Sequence, residues 1–269
     1  MHNNPYTGVF RALAGAGVFG LTTMRRLGAA PPAGVGGNDA NTMLLIHSDT
    51  TDTSTTFTDS AVGGGAPHAL TSNLGAAHST DRQKFGATSM KFIRAAGPDY
   101  VSAEDSNDWN VAAGDFAVDF WVNFTSIDAG VGNIMASQFA GGSDIQETWF
   151  LSHLDGNLIF NYSLDGQTNT EMSRAWAPSV NTWYHVALAR DGANLRMFID
   201  GTQIGTTFDI STSSLWNSTD KFRLGAIWIN GSIWTTDALN GYLDEFRFSK
   251  GVPRYTANFT PNTAPYDEG

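Results

Sequence analysis

Between Phe116 and Phe124 the chain reads Phe-Ala-Val-Asp-Phe-Trp-Val-Asn-Phe, a strict alternation with period two. Phe116, Val118, Phe120, Val122 and Phe124 fall on one face, and Asp119, Trp121 and Asn123 on the other. A strand turns successive side chains to opposite faces, so the pattern predicts an antiparallel strand, half-buried, with one face in a core. Asp-Gly pairs punctuate the chain beyond this strand: residues 149–154 and 158–162 flank Asp155-Gly156, and 183–190 and 195–200 flank Asp191-Gly192. Asp-Gly closes short hairpins readily because both positions tolerate positive φ. Asp200-Gly201 turns the chain again, and residues 222–228 and 242–248 predict two further strands. No stretch after residue 40 holds helical spacing through three turns. The expectation is an all-β, two-sheet antiparallel sandwich of roughly a dozen strands, closer to a jelly roll than to a small immunoglobulin domain.

Composition agrees and excludes several chemistries. At 269 residues the chain can bury a sizeable core without a disulfide or metal staple. It has no cysteine, which excludes disulfides, thiolate catalysis, iron–sulfur clusters and cysteine-ligated zinc. Only 15% of residues are charged and 29 are glycine, as suits a turn-rich β protein. The net charge of −11 argues against a nucleic-acid partner, because phosphate binding needs a basic face.

Residues 1–40 differ from the rest. They are small and apolar and end in Pro31-Pro32 and a glycine-rich stretch with the character of a linker. The expected organisation is an arm and linker over 1–40 and a jelly-roll domain over 41–269. The arm has too little bulk for its own core, yet its apolar side chains need burial. Phe10, Leu13, Phe19, Leu21 and Met24 are therefore expected to anchor it on a partner or a neighbouring subunit. Its uncharged run, Ala12 to Met24, is 13 residues, short of the ~20 that cross a bilayer. Arg11 is the one cation before that run, and Arg25-Arg26 come after it, the wrong order for a secretory leader.

Catalytic motifs are absent. There is no G-x-S-x-G elbow, H-E-x-x-H pair or Walker loop. Gly15-Ala-Gly17-Val-Phe-Gly20 matches G-x-G-x-x-G, but a dinucleotide site needs a βαβ unit around it, and Pro31-Pro32 and an all-β chain come next instead. His185 alternates within a predicted strand and is expected to be a packed histidine, as is His47 beside the first acidic loop.

Five segments together resemble a known family: 44–61, 84–92, 114–124, 182–205 (Thr-Trp-Tyr-His-Val-Ala-Leu-Ala-Arg-Asp-Gly through Met-Phe-Ile-Asp-Gly) and 239–266 (with Gly-Tyr-Leu-Asp-Glu-Phe-Arg-Phe-Ser-Lys-Gly-Val). In this order they resemble laminin-G-like, concanavalin-A-like jelly rolls of the kind common in phage and bacterial surface proteins. The closing stretch, Arg254 to Tyr266, is most similar to the ends of phage-encoded and marine bacterial members. The resemblance covers about residues 43–266 and implies two antiparallel sheets of about six or seven strands each.

It also implies candidate sites. Members of this superfamily often hold a structural calcium between the first and last strands, and Asp49 and Asp244 fit that position, with Asp52 and Asp59 in the same loop as Asp49. Asp49-Thr50 departs from the common His-x-Asp-Gly form there. The glucanases of the superfamily carry Glu-x-Asp-x-(x)-Glu on one strand, where period two gathers two carboxylates. Here Glu104, Glu147, Glu171, Glu245 and Glu268 are scattered, and adjacent Asp244 and Glu245 are expected to point to opposite faces, so no hydrolase is expected. Glycan binding would use aromatic platforms. Trp149, Trp176, Trp228 and Trp234 are candidates, and Trp228, Asn230 and Trp234 in one predicted loop form the candidate ligand site.

The functional expectation is a non-enzymatic structural protein of a phage virion, a capsid decoration or a head or tail fibre protein. Its arm would meet other virion proteins, its oligomer would be most simply a homotrimer, and its outer face would hold host surface glycan. The alternative is a secreted bacterial carbohydrate-binding lectin or adhesion module acting as a monomer. No membrane span is expected on either reading.

Overall fold

The computed structural model describes residues 37–65, 67–94 and 97–267. The arm residues Phe10, Leu13, Phe19, Leu21 and Met24 lie outside them. In chain order the strands are β1 (Thr42–Ile46), β2 (Leu70–Asn73), β3 (Ala77–Ser79), β4 (Ser89–Phe92), β5 (Tyr100–Ala103), β6 (Phe116–Phe124), β7 (Asn133–Gly141), β8 (Gln146–Leu154), β9 (Asn157–Ser163), β10 (Asn169–Ala175), β11 (Trp183–Asp191), β12 (Asn194–Ile199), β13 (Thr202–Asp209), β14 (Phe222–Leu224), β15 (Trp228–Ile229), β16 (Ser232–Ile233) and β17 (Gly241–Lys250). One sheet runs β13-β12-β11-β6-β17-β4-β3, with β1 also on β17, making eight strands. The other runs β10-β9-β8-β7-β14-β5-β2, and the β15–β16 hairpin on the end of β7 makes nine. This is the all-β jelly-roll sandwich expected. The short β2, β3, β15 and β16 take each sheet beyond six or seven strands.

The alternating faces meet between the sheets. Phe116, Val118, Phe120, Val122 and Phe124 of β6 pack with Phe246 and Phe248 of β17 and with Trp149, Leu151, Phe160 and Phe222 of the opposite sheet in one apolar core. The other face of β6 was expected to meet solvent, yet all nine residues are buried. The closing stretch 251–267 covers it. Ala117, Ala187 and Ala189 leave shallow positions on which Tyr255 and Phe259 lie, stacked at 3.9 Å. Trp121 Nε1 donates to Asn262 Oδ1 at 3.0 Å.

A buried charge pair anchors this cover. Arg247 donates to both oxygens of Asp119, at 3.1 and 3.2 Å, and lies 4.0 Å from the Tyr266 ring centroid. The Tyr255 and Tyr266 hydroxyls also donate to Asp119. Burial alone would raise the Asp119 carboxyl, but the Arg247 charge, His185 and Tyr266 outweigh it and hold it far below the usual range. His185 is packed, as expected, between Trp121 and Phe259. The end of the linker joins the domain too: Asn38 Nδ2 donates to the Ser60 carbonyl at 2.6 Å, and Arg254 pairs with Asp39 at 2.6 Å.

Two strand readings change. The stretch 222–228 is not one strand, because β14 stops at Leu224 and Gly225 takes φ 90° beneath Phe92. In β17, Glu245 adopts φ 50° at a bulge between Asp244 and Arg247. The alternation slips by one there. Leu243, Phe246 and Phe248 all face the core, so Asp244 and Glu245 both leave it rather than taking opposite faces.

Candidate functional site

The nine-stranded sheet has an apolar patch on its outer face, away from the main core. Ile134 and Phe139 of β7 and Ile227 form it, with Phe150 and Ile229 packed against them. Phe139 and Phe150 meet edge to face at 5.0 Å. This patch floors a cavity of about 330 Å³ whose polar lining is Glu147, Asn169 and Asp237, with Trp234 beside it.

A register slip aims Glu147 into the cavity. Gln138 pairs with Trp149 and Phe139 with Glu147, so Thr148 is left without a counterpart. Directly paired residues share a face, so Glu147 joins Phe139 outside while Trp149 stays in the core. Glu147 is only 7% exposed, and its Oε2 has no hydrogen-bond partner. Burial pushes its carboxyl up, against the Gly142 amide and the Asn169 side chain; the nearby Asp165 adds to the rise. No lysine or arginine is among the lining residues.

The hairpin of β15 and β16 brings Trp234 to this place. Its Asn230-Gly231 turn has φ 51° and 77°, the two positive values that a tight two-residue hairpin needs. Asn230 Oδ1 accepts from Ser143 N, and Asp144 Oδ2 accepts from Gly231 N, each at 3.0 Å. These bonds tie the hairpin to the 3-10 turn Gly142–Asp144. Glycine suits position 142, because its φ of 72° strains other residues and a Cβ there would strike the Asn230 side-chain oxygen that holds the Ser143 amide. The Trp234 ring is 40% exposed and is held by Asp237, whose Oδ2 accepts from Nε1 at 3.0 Å. Asp237 Oδ1 accepts from Gly132 N at 2.7 Å, so both of its oxygens are engaged.

The three sequence candidates for ligand binding are thus neighbours with different roles. Trp234 stands at the cavity. Asn230 spends its carbonyl oxygen on the turn, and Trp228 lies 5.3 Å from the Arg223 guanidinium. Trp149 and Trp176 are buried in the core. Glu147, Asn169 and Asp237 were not singled out from the sequence. Glu147 carries little sequence signal, because it precedes the expected strand 149–154 and lies between the polar residues Gln146 and Thr148.

The calcium candidates serve a different purpose. Asp49 Oδ1 accepts from Ala87 N at 2.7 Å. Asp244 Oδ2 accepts from Lys84 N and Phe85 N at 2.8 and 3.1 Å, and its Oδ1 from Glu245 N at 2.9 Å. The two carboxylates clamp loop 84–87 onto the sheet. Asp59 likewise accepts from the Leu45, Ala61 and His68 amides, and Asp52 from Thr80. Calcium takes six to eight oxygen ligands, and here Asp244, Asp59 and one oxygen of Asp49 are aimed at backbone N–H donors, so these side chains do not form a donor set that fits the ion. Among the described residues no three His, Cys, Asp or Glu side chains gather as a metal site would require. Glu245 also is occupied: His47 Nδ1 lies 3.0 Å from each of its oxygens, and Tyr266 N donates to Oε2 at 2.8 Å.

Comparison with known proteins places the fold. The family Laminin_G_3, of the Concanavalin A-like lectin/glucanases superfamily, matches residues 95–253. No curated protein matches the sequence. Among solved structures, the binding domain of Paraclostridial Mosquitocidal Protein 1 is similar at TM-score 0.57 and 14% identity, over 83% of this chain and 50% of that one. A botulinum neurotoxin type C structure, described in terms of cell entry dependent upon interaction with two ganglioside molecules, is similar at TM-score 0.58 and 13% identity, over 79% and 48%. The botulinum neurotoxin serotype G binding domain is similar at TM-score 0.57 and 13% identity, over 83% and 49%. The chain therefore spans about half the length of the solved chains it matches.

Proposed function

The chain belongs to the Laminin_G_3 family of the Concanavalin A-like lectin/glucanases superfamily, and from that premise we propose that it is a non-catalytic module that binds carbohydrate in the cavity beside Trp234. One observation carries the reading: an exposed indole, fixed by Asp237, borders a cavity into which Glu147 aims an unpartnered oxygen. A sugar offers what both groups lack, a C–H face for the ring and hydroxyl donors for the oxygen. The ganglioside interaction described for the type C neurotoxin is consistent with sugar recognition on such a scaffold, though only half of that chain is matched. Asp237 is the other carboxylate lining the cavity, and its oxygens hold the Trp234 indole and the Gly132 amide, which supports a binding role over a hydrolytic one. Binding of the full chain and of W234A to an array of immobilised glycans tests the reading. Retention by the full chain, lost in W234A, is expected; equal signals, or none, would overturn it.

The finer reading is a structural protein of a phage particle. The resemblance of Arg254–Tyr266 to phage-encoded members supports it, as does an N-terminal sequence rich in small and apolar residues that call for burial. On this reading Phe10, Leu13, Phe19, Leu21 and Met24 anchor the arm on other virion proteins or on sister copies, and the jelly roll faces outward in a homotrimer. Light scattering on the full chain and on a chain starting at Gly37, which keeps the Asn38 and Asp39 contacts, tests the assembly. A trimer that becomes a folded monomer on truncation is expected. Two well-behaved monomers would count against it.

A further inference from the structure

Resting on that carbohydrate-binding reading, we infer that the cavity selects uncharged sugars and rejects acidic ones. The chemistry of the lining decides the sign. Glu147 is more than nine-tenths buried, and its Oε2 needs a hydrogen-bond donor. A sugar hydroxyl is a donor; the carboxylate of a sialic or uronic acid, or a sulfate ester, is not. Asn169 can both donate to and accept from a hydroxyl. Asp237 sets an acidic side chain beside the Trp234 indole, and Asp165 acts on Glu147 from the neighbouring turn.

Every charge at the site is therefore negative. No lysine or arginine lines it to receive an anion, and the whole chain carries −11. Recognition of acidic groups relies on forked or paired cations, which are missing here. The floor of Phe139, Phe150, Ile227 and Ile229 is apolar and offers an anion no side-chain hydrogen-bond donor, so nothing there offsets repulsion between an acidic sugar and Glu147. The expected penalty for adding one negative group to a bound sugar is about a hundredfold in affinity. Rejection of this kind is specificity built from a repulsive element rather than from an extra contact.

The test is an array carrying neutral hexose and N-acetylhexosamine oligomers beside their sialylated, uronic and sulfated counterparts. It is read with the full-length wild type, W234A, E147Q and E147K. The wild type should retain neutral members only, and W234A should lose them at least about tenfold. E147Q should raise the acidic-to-neutral signal ratio, and E147K should raise it further. If E147K fails to fold, the ratio in E147Q decides. Acidic members bound by the wild type as strongly as their neutral counterparts, and lost with them in W234A, would overturn the selectivity while leaving the site. No binding to any member would overturn the carbohydrate reading and this inference with it.

Discussion

Glu147 stands directly across from Phe139, although its neighbour but one, Trp149, stands across from Gln138. The unmatched Thr148 between them is what turns a carboxylate out of the core and into a cavity. Bulges commonly re-aim a side chain in this way beside functional sites.

That placement has a cost to the folded state. A buried carboxylate with an oxygen lacking a donor is penalised, and the burial that raises its pKa is the same effect. E147Q removes the charge at nearly constant volume. It should stabilise the protein by about 1 kcal/mol in urea unfolding at neutral pH while weakening sugar binding. A variant less stable than wild type would show that Glu147 is already satisfied.

The opposite result is expected at Asp119 and Arg247. Both are fully buried, and each is the other's principal charge partner. R247M leaves a carboxylate uncompensated beside Tyr255 and Tyr266 and should cost about 3–5 kcal/mol. The double variant D119L/R247M should recover much of that loss. Equal destabilisation by single and double variants would contradict the coupling.

The alanines under the closing stretch make a packing prediction. Ala187 lies in the shallow patch that seats Tyr255 and Phe259. A187L fills that space, lifts the cover, and should cost about 1–3 kcal/mol. Limited proteolysis should then cut within 251–267 faster than in wild type. Unchanged cleavage would mean that the cover is held elsewhere.

A pH dependence arises from Asp244. Burial pushes its carboxyl up to about 8, although the Lys84 and Phe85 amides oppose the rise. The folded protein then holds a proton that the unfolded chain releases near the ordinary value of 3.8. Between those two values the folded state binds more protons, so its stability falls as pH rises. Asp119 has the reverse sign, and its contribution is lost only as pH drops below the ordinary carboxylate range. From pH 4 to 8 the wild type should lose on the order of 3–5 kcal/mol, and D244N should flatten that slope. Parallel curves for the two proteins would contradict the assignment.

Much of this fold was legible because its signals are local. The alternation over 116–124 and the Asp-Gly turns give β6, β8, β9, β11 and β12 within a few residues. The misreadings arise where one residue breaks a period. Glu245 at φ 50° leaves Asp244 and Glu245 both outside the core, and unmatched Thr148 turns Glu147 away from the face that Trp149 takes, so a strict period-two reading misplaces both. The buried polar face of β6 depends on Tyr255 and Tyr266, more than a hundred residues downstream. Trp234 was found from the sequence as an aromatic in a turn-rich loop. Its partners Glu147 and Asn169 come from strands far away in the chain, which only the fold brings together.

The most direct measurement is titration calorimetry of the best glycan from the array against the full chain, W234A and W216A. Trp216 is nearly as exposed as Trp234, 38% against 40%, but it lies over Gly166 and outside the cavity lining. Truncating an anchoring tryptophan costs about 2 kcal/mol or more, so W234A should weaken binding at least about tenfold. W216A should stay within about twofold of wild type, as a residue outside the contact does. Equal losses in both variants, or a loss in W216A alone, would contradict a binding site at the Trp234 cavity.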